Sequence, residues 1–361
     1  MMTQYLNCSS VSARRSLTLA AVMAITGAST ASRASVVINE IMANNQSAVE
    51  NGAGYPDYVE LLNTSAQEVS LAGWSLTDDP FQPRRYAFPA VSLPAGGRLL
   101  VWCSGTVSGP GLFSGFGLGA GGDRIQLLDA GGGLRDDLTF GLQAEDHPIG
   151  RIPDGTGAWQ LIRPSPMAAN EAQPVLSTAA VRINEWMARP AVGDDWLELY
   201  NPEDLPVALS GWIVTDSLAV PPGNRPIPSL SFLAPGGHVQ LFASDLRNPD
   251  ADHLDFRLGA GGETLTLYTS DRRTVVDRVV FGSQQDAVSQ GRVPDGGDSF
   301  ASFVGPEISP GAPNAAADQR VVINEVLSHT DPPLEDAIEL HNPTAGPVDL
   351  SHWWLSDSLV E

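Results

Sequence analysis

The sequence predicts an all-β protein that is built from tandem β-sandwich or β-barrel domains. A set of motifs recurs three times along the 361 residues. Short runs of β-branched and apolar residues alternate with turns rich in Gly, Pro, Asp and Asn, which is typical of strands. No window keeps a helical apolar period for three turns. Because 42% of the residues are hydrophobic, the chain can bury the cores that such domains need.

The recurring motifs define three repeats. Each repeat begins with Ile-Asn-Glu, continues with Asp-x-x-Glu-Leu-x-Asn, and reaches a tryptophan that is followed four residues later by Asp. These tryptophans are Trp74, Trp212 and Trp353. They lie about 140 residues apart, which is the length of one domain. We therefore predict domains at residues 35–174 and 175–317, with a partial third repeat at 318–361.

The first two repeats also share their closing segments. A Gly-Arg-x-Pro-Asp-Gly segment begins at Gly150 and Gly291, and a Ser-Pro-x-x-x-Asn segment begins at Ser165 and Ser309. The third repeat stops shortly after Trp353, and so few strands cannot close a two-sheet sandwich. This observation leads to the alternative hypothesis that the chain is the N-terminal part of a larger protein.

The ordered motifs resemble the lamin-tail domain, and the bacterial, exported branch is the closer match. The first repeat carries them at residues 38–40, 57–63, 71–78 and 165–170. The resemblance covers the mature chain and implies immunoglobulin-like β-sandwiches, two complete and one truncated, with a non-catalytic binding or spacer role. Such domains often accompany exported spore-coat-type kinases, nucleases or phosphatases, so the alternative is an accessory portion of such an enzyme. The third repeat departs from the pattern, because His352 replaces the Gly before the tryptophan.

The first 34 residues predict an export signal. Arg14 and Arg15 precede an apolar run at residues 17–28, which is too short to span a bilayer. Small residues follow, so cleavage after Ala31 or Ala34 is expected, through either the general secretory or the twin-arginine route. We therefore expect a secreted or cell-surface protein with no transmembrane segment in the mature chain. After cleavage Cys103 is the sole cysteine, and we expect it to be buried.

The charge excludes several function classes. The chain has 20 basic and 42 acidic residues, a net charge of −22, and every basic residue is Arg. Without lysine there is no P-loop lysine, Schiff-base lysine or Ser-Lys dyad. The negative field argues against direct nucleic-acid binding. The expected partner is an unknown extracellular protein or a polysaccharide.

Recurrent acidic pairs are the strongest candidates for catalysis. They are Asp57 with Glu60, Asp195 with Glu198, and Asp336 with Glu339. Paired carboxylates could hydrolyse glycosides, but residues three apart on a strand point to opposite faces. A structural role, in which the Glu accepts backbone or Asn hydrogen bonds, is therefore favoured. We predict no catalytic, cofactor-binding or metal-ligating residue.

Two further groups of acidic residues raise calcium binding as an alternative. Asp78, Asp216 and Asp357 each follow a predicted strand, where Asx-turn capping is the default role. Asp250, Asp252 and Asp255 surround His253 in an acidic loop. This loop lacks the full pattern of an EF-hand, so we favour a solvated loop without a cofactor.

The glycine and tryptophan patterns receive structural interpretations. Residues 117–122 match G-x-G-x-x-G, but strands follow them and no βαβ unit surrounds them, so we predict turn glycines. The recurrent Trp74, Trp212 and Trp353 are expected in the cores. Trp159 and Trp186 lack an aromatic counterpart in the other repeat and are the better candidates for exposed contact residues.

Overall fold

The fold of the described chain is all-β, as predicted, with one short 3₁₀ helix as its sole helical element. The computed structural model describes residues 35–107, 109–244, 250–314, 321–328, 335–342, 348, 350 and 353–356. The predicted export signal at 1–34, His352 and Asp357 lie outside these residues. The tandem sandwiches predicted from the repeats are present.

The first sandwich is built from strands with antiparallel pairing, apart from one parallel pair. Its strands are β1 (Val36–Met42), β2 (Asp57–Asn63), β3 (Val69–Ser70), β4 (Ser75–Thr77), β5 (Tyr86–Ala87), β6 (Ser92–Leu93), β7 (Arg98–Cys103), β8 (Leu112–Phe113), β9 (Asp123–Leu128), β10 (Leu134–Phe140), β11 (Ile149–Ile152) and β12 (Ala158–Leu161). The larger sheet has the order β12-β11-β1-β2-β7-β8 and the smaller one β10-β9-β4-β5. Strands β3 and β6 form a separate pair, and β7 and β8 are parallel.

The second sandwich repeats this arrangement. Its strands are β13 (Arg182–Met187), β14 (Asp195–Tyr200), β15 (Val207–Ala208), β16 (Ile213–Thr215), β17 (Phe232–Leu233), β18 (His238–Ala243), β19 (His253–Leu254), β20 (Glu263–Tyr268), β21 (Val275–Phe281), β22 (Val288–Arg292) and β23 (Phe300–Val304). They form sheets of order β19-β18-β14-β13-β22-β23, β16-β20-β21 and β15-β17. A short 3₁₀ helix at Gly305–Glu307 follows.

Each sandwich encloses its recurrent tryptophan. Trp74 and Trp212 are buried in the two hydrophobic cores. The preceding glycines, Gly73 and Gly211, have φ of +76° and +82°, a conformation that favours glycine. This backbone requirement explains why Leu-x-Gly-Trp recurs in both sandwiches. Cys103 is also buried in the first core, as expected.

The two sandwiches exchange apolar side chains at their junction. Leu142, which follows β10, is fully buried in the second core, while Phe232 and Ala234 belong to the first core. The Phe232 amide donates to the Leu142 carbonyl at 2.8 Å, and the Leu142 amide donates to Ser231 Oγ at 3.0 Å. Apolar contacts and hydrogen bonds therefore both cross the junction, and the two sandwiches lie within one compact unit.

The third repeat contributes an exposed hairpin. Strands β24 (Val322–Leu327) and β25 (Ala337–His341) pair antiparallel, and all their side chains are exposed. Trp353 is 47% exposed. The prediction that this tryptophan lies in a core is therefore wrong, because among the described residues no second sheet packs on the hairpin.

Candidate functional site

The Ile-Asn-Glu motif marks the same β-bulge in all three repeats. In the first repeat the pairing steps from Ile38 opposite Leu61 to Glu40 opposite Glu60, so Asn39 is the extra residue. The second and third repeats show the same shift, and their extra residues are Asn184 and Asn324. A bulge takes one residue out of the ladder and redirects its side chain. Each bulged Asn donates to the glutamate on the neighbouring strand, at distances of 3.0, 2.9 and 2.5 Å.

In both sandwiches an Arg–Asp pair holds the backbone beside the bulge. In the first sandwich, the Ile38 amide donates to Asp136 Oδ2 at 2.9 Å and the Ile38 carbonyl accepts from Arg151 Nε at 2.9 Å. Arg151 also donates to both oxygens of Asp136, at 3.1 and 3.2 Å. The backbone groups of Ile38, the residue before the bulge, thus both have side-chain hydrogen-bond partners.

The second sandwich repeats this clamp. The Ile183 amide donates to Asp277 Oδ2 at 2.8 Å, and the Ile183 carbonyl accepts from Arg292 Nε at 2.9 Å. Both charged side chains are 4% exposed. Sequence analysis missed the clamp, although the arginine stands in the recurrent Gly-Arg-x-Pro-Asp-Gly segment.

The bulged Asn39 ties the sheet to two later segments. Its Oδ1 accepts from the Gly155 amide at 2.8 Å. The Glu60 oxygen that does not bind Asn39 accepts from the Met167 amide at 2.6 Å. Asn170 donates to the Asn39 carbonyl at 3.1 Å. The two closing motifs therefore fold over the face of the sheet that is opposite to the core, and they bury Glu60 completely.

Arg98 supplies positive charge to this first cluster. Its guanidinium forms an ion pair with Asp154, and its Nε lies 3.3 Å from Glu60 Oε1 without the alignment of a hydrogen bond. Asp154 Oδ1 also accepts from the Asn170 amide at 3.1 Å. One buried and one half-buried carboxylate therefore share one guanidinium.

The second cluster has the same frame, but a histidine replaces the arginine. Asn184 Nδ2 donates to Glu198 Oε1 at 2.9 Å and to Asp295 Oδ1 at 3.0 Å. The other Glu198 oxygen accepts from the Gly311 amide at 2.6 Å. His238 Nε2 lies 3.2 Å from Asp295 Oδ2. His238 therefore stands where the first sandwich has an arginine, since both residues begin the strand that pairs with the strand of the buried glutamate.

Burial controls the ionisation of these carboxyl groups. Desolvation raises the pKa of Glu60 to about 7, although hydrogen bonds from Asn39 and Met167 and the Arg98 charge oppose the rise. Desolvation raises the pKa of Glu198 to about 8, and the nearby carboxylates of Glu185 and Asp295 add to that rise.

The histidine in the second cluster is itself shifted. Burial lowers the pKa of His238, while Asp295 acts in the opposite direction. The second cluster therefore has no permanent counterpart of the Arg98 charge beside its carboxylates.

One family model matches both sandwiches. The model of the Lamin Tail Domain matches residues 29–141 and 174–283, which together make up more than half of the chain. The chain belongs to the lamin tail domain family. Both matched ranges end before β11 and β22, so the strands and closing segments that complete the carboxylate clusters lie beyond them.

Other comparisons add no functional information. No curated protein matches the chain. Two similar solved structures are the Amycolatopsis orientalis exo-chitosanase CsxA and its D469A complex with PNP-beta-D-glucosamine. They are 15% and 14% identical, with a TM-score of 0.17, and the matches cover 63% of this chain. The chain spans 25% of those chains, and a likeness this weak carries no argument.

In each of the two sandwiches, the two members of the acidic pair bind different partners. Asp57 accepts from the Asn45 amide at 3.1 Å, and burial raises its pKa to about 6. Asp195 accepts from the Leu258 amide at 3.2 Å. The partner glutamates bind elsewhere, since Glu60 and Glu198 are each held by a bulged Asn and a backbone amide. Both oxygens of each buried glutamate thus accept hydrogen bonds from the protein, which suits a structural tie.

Several of the aspartates considered for calcium bind other groups of the protein. Asp78 Oδ1 lies 2.5 Å from Arg85, and Asp255 accepts from Asn224 Nδ2 at 2.9 Å and from the Arg225 amide at 2.8 Å. Within the described part of the chain, no group of three or more His, Cys, Asp or Glu side chains is placed to hold a metal. Calcium binding by the full chain remains an untested alternative.

The glycine motif lies in a turn. The Gly122 amide donates to the Gly119 carbonyl at 3.1 Å, and the Asp123 side chain accepts from the Gly119 amide at 3.0 Å. Strand β9 begins directly afterwards. The same aspartate thus closes the turn and starts the strand.

The prediction for the two unmatched tryptophans is wrong in two respects. Trp186 is only 2% exposed, because the bulge leaves it on the core face of β13. Trp159 does have an aromatic counterpart, since it pairs with Arg151 as Phe300 pairs with Arg292. The arginine lies over the ring in both cases, at 4.8 and 4.9 Å from the ring centroid. The sequence carries the same match, because Trp159 and Phe300 each lie nine residues after the glycine that begins the Gly-Arg-x-Pro-Asp-Gly segment.

Proposed function

We propose that the chain is an exported, non-catalytic protein whose two lamin tail sandwiches act as one stiff binding or spacing unit. The exchange of Leu142 and Phe232 between the cores is the observation that carries this proposal. A junction that buries apolar side chains from both sandwiches resists bending. Moving the sandwiches apart would expose this apolar surface to water, at a cost of about 25 cal/mol for each Å². A flexible linker would leave each core closed on its own.

The hydrogen bonds that the buried carboxylates accept support the non-catalytic part of the proposal. Glu60 and Glu198 use both oxygens to hold later segments of their own sandwich. A general acid or base needs hydrogen-bond reach to a substrate. Glutamates that are fully buried under the closing segments lack that reach.

The proposal of export rests on the residues before the first sandwich and is tested in the source cells. We expect the mature protein in the medium or on the cell surface, with an N-terminus directly after Ala31 or Ala34. Mass spectrometry of the N-terminal peptide measures this. Intact residues 1–34 on a cytoplasmic protein would contradict export. No helix in the described residues is long and apolar enough to cross a membrane.

The absence of catalysis is tested on the purified chain. Phosphomonoester hydrolysis, DNA cleavage and phosphate transfer from ATP to casein are expected at buffer level. Turnover that the Glu60→Gln and Glu198→Gln variants abolish while they remain folded would overturn the proposal. Turnover that both variants keep would place catalysis elsewhere in the chain and would also overturn it.

A further inference from the structure

One row of residues across the larger sheet differs in chemistry between the two sandwiches. In the first sandwich Ile41 lies opposite Ile149, which lies opposite Leu161. In the second sandwich Trp186, Gln290 and Ser302 hold the same three places. Aliphatic side chains are thus replaced by an indole, an amide and a hydroxyl at matched positions.

The aliphatic row is buried in a core, whereas the polar row borders a cavity. Ile41, Ile149 and Leu161 are buried in the cluster that also contains Phe232 from the second sandwich. The polar row instead borders a cavity of about 260 Å³, between the edge strands β21 and β23. Its lining includes Trp186, Phe281, Gly282, Gln290, Phe300 and Ser302.

Trp186, which lines the cavity, carries an unused hydrogen-bond donor. The Nε1 of Trp186 is buried and has no partner within the described residues. Indole nitrogen is a donor only, and a buried donor without a partner costs stability. Gln290 adds an amide, whose Oε1 lies 3.4 Å from Gln284 Nε2. A ligand that brings an acceptor oxygen would satisfy the indole.

Aromatic rings supply the apolar part of the cavity. The Phe281 and Phe300 ring centroids lie 5.7 and 5.5 Å from that of Trp186. None of the lining side chains is ionisable, although the chain carries a net charge of −22. The cavity therefore suits a neutral group that combines apolar faces with a rim of oxygen atoms.

We propose that the cavity beside Trp186 binds one residue of a neutral polysaccharide. A sugar ring presents C–H faces to aromatic side chains and hydroxyl oxygens to an indole N–H and an amide. The small volume fits a single ring rather than an extended chain segment. This inference rests on the proposed binding function and names the ligand class for it.

The test follows the indole N–H signal of Trp186 in ¹H–¹⁵N spectra of the full chain. Cellotetraose, maltotetraose and xylotetraose are titrated to millimolar concentration. The signal is assigned by its loss in Trp186→Phe, which keeps an aromatic ring and removes the donor. We expect a saturable shift with at least one of these sugars.

Two variants and a matched control define the site. Gln290→Ile combined with Ser302→Leu installs the residues of the first sandwich and fills the cavity, so binding should weaken at least tenfold. Trp186→Phe, followed by calorimetry, should weaken binding by a similar factor. Gln160→Ala removes an amide from the corresponding strand of the first sandwich and should leave the affinity unchanged.

The outcomes separate this inference from the proposed function. An unshifted indole with all three sugars would overturn the inference and leave the non-catalytic proposal standing. A shift with a proline-rich peptide but with no sugar would also overturn it. Cleavage of a bound sugar, detected by chromatography, would overturn the non-catalytic proposal while the site itself stood.

Discussion

His238 takes in the second sandwich the place that Arg98 takes in the first. Arg98 pairs with Asp154 and lies 3.3 Å from Glu60, whereas His238 lies 3.2 Å from Asp295. The two frames are otherwise equivalent, with a bulged Asn, a buried Glu and a closing Asn at matched positions. The second sandwich thus buries carboxyl groups beside a histidine, whose pKa burial lowers, and not beside a permanent charge.

The raised pKa of Glu198 predicts that the stability of the second sandwich depends on pH. The pKa of Glu198 rises from an ordinary value of 4.5 to about 8 in the folded protein. Between these two values the folded state holds a proton that the unfolded chain has released. The free energy of unfolding should therefore fall as the pH rises through this window, by at most about 1.4 kcal/mol per unit for one group. Urea unfolding at pH 5.5 and pH 8 measures the change.

The variant His238→Arg should stabilise the second sandwich at pH 8. A permanent guanidinium beside Asp295 and Glu198 restores the charge balance of the first cluster, and we expect a gain of about 1 kcal/mol. The reverse variant, Arg98→His, is the matched control and should destabilise the first sandwich at the same pH. Equal stability of both variants and the wild type at pH 8 would show that the cation is irrelevant.

The bulged asparagines should be essential where they are buried. Asn184→Ala removes a donor to Glu198 and an acceptor for the Gly296 amide, which lie 2.9 and 3.0 Å away. Leaving these buried groups without partners should cost roughly 2–4 kcal/mol. Asn324→Ala makes the same change on the exposed hairpin and serves as the control. Similar losses in thermal unfolding from the two variants would refute a role that depends on burial.

The junction should couple the unfolding of the two sandwiches. Leu142→Ala removes the side chain that the first sandwich places in the second core, at an expected cost of about 2–5 kcal/mol. Calorimetry should then show two separated transitions where the wild type shows one. Ser283→Ala changes the exposed residue that follows Gly282 as Leu142 follows Gly141, and it should have no effect. Two transitions already present in the wild type would contradict the coupling.

The thiol of Cys103 should be unreactive in the folded protein. It is buried, and burial raises its pKa well above the ordinary value. Thiolate is the nucleophilic form, so iodoacetamide should modify Cys103 only in denaturant. Peptide mass spectrometry follows the modification. Rapid labelling at pH 8 without denaturant would show that the first core opens.

The fold can be predicted from the sequence because the same short motifs recur in every repeat. One Ile-Asn-Glu is a short match, but the same motif before Trp74, Trp212 and Trp353 identifies a module. The structural role favoured for Glu60 also agrees with its hydrogen bonds from Asn39 and Met167. That role can be predicted from the sequence, because Asp57 and Glu60 are three residues apart on a strand and therefore point to opposite faces.

Other features depend on tertiary contacts and could not be predicted from the sequence. The exchange of Leu142 and Phe232 leaves no motif, since each is an ordinary apolar residue near a turn. The bulge places Trp186 on the core face, which linear reading of β13 does not show. Trp353 has the same local motif as its equivalents, but among the described residues its hairpin lacks the opposing sheet that buries them.

The central claim is that the two sandwiches form one stiff pair, and a distance distribution tests it most directly. Nitroxide labels at Thr156→Cys and Arg273→Cys, both exposed, place one probe on each sandwich in a Cys8→Ser background with Cys103 buried. Pulsed electron–electron double resonance should give one narrow distance peak, and Leu142→Ala should broaden it. A broad distribution in the protein with Leu142 intact would mean that the sandwiches move independently and would contradict the account.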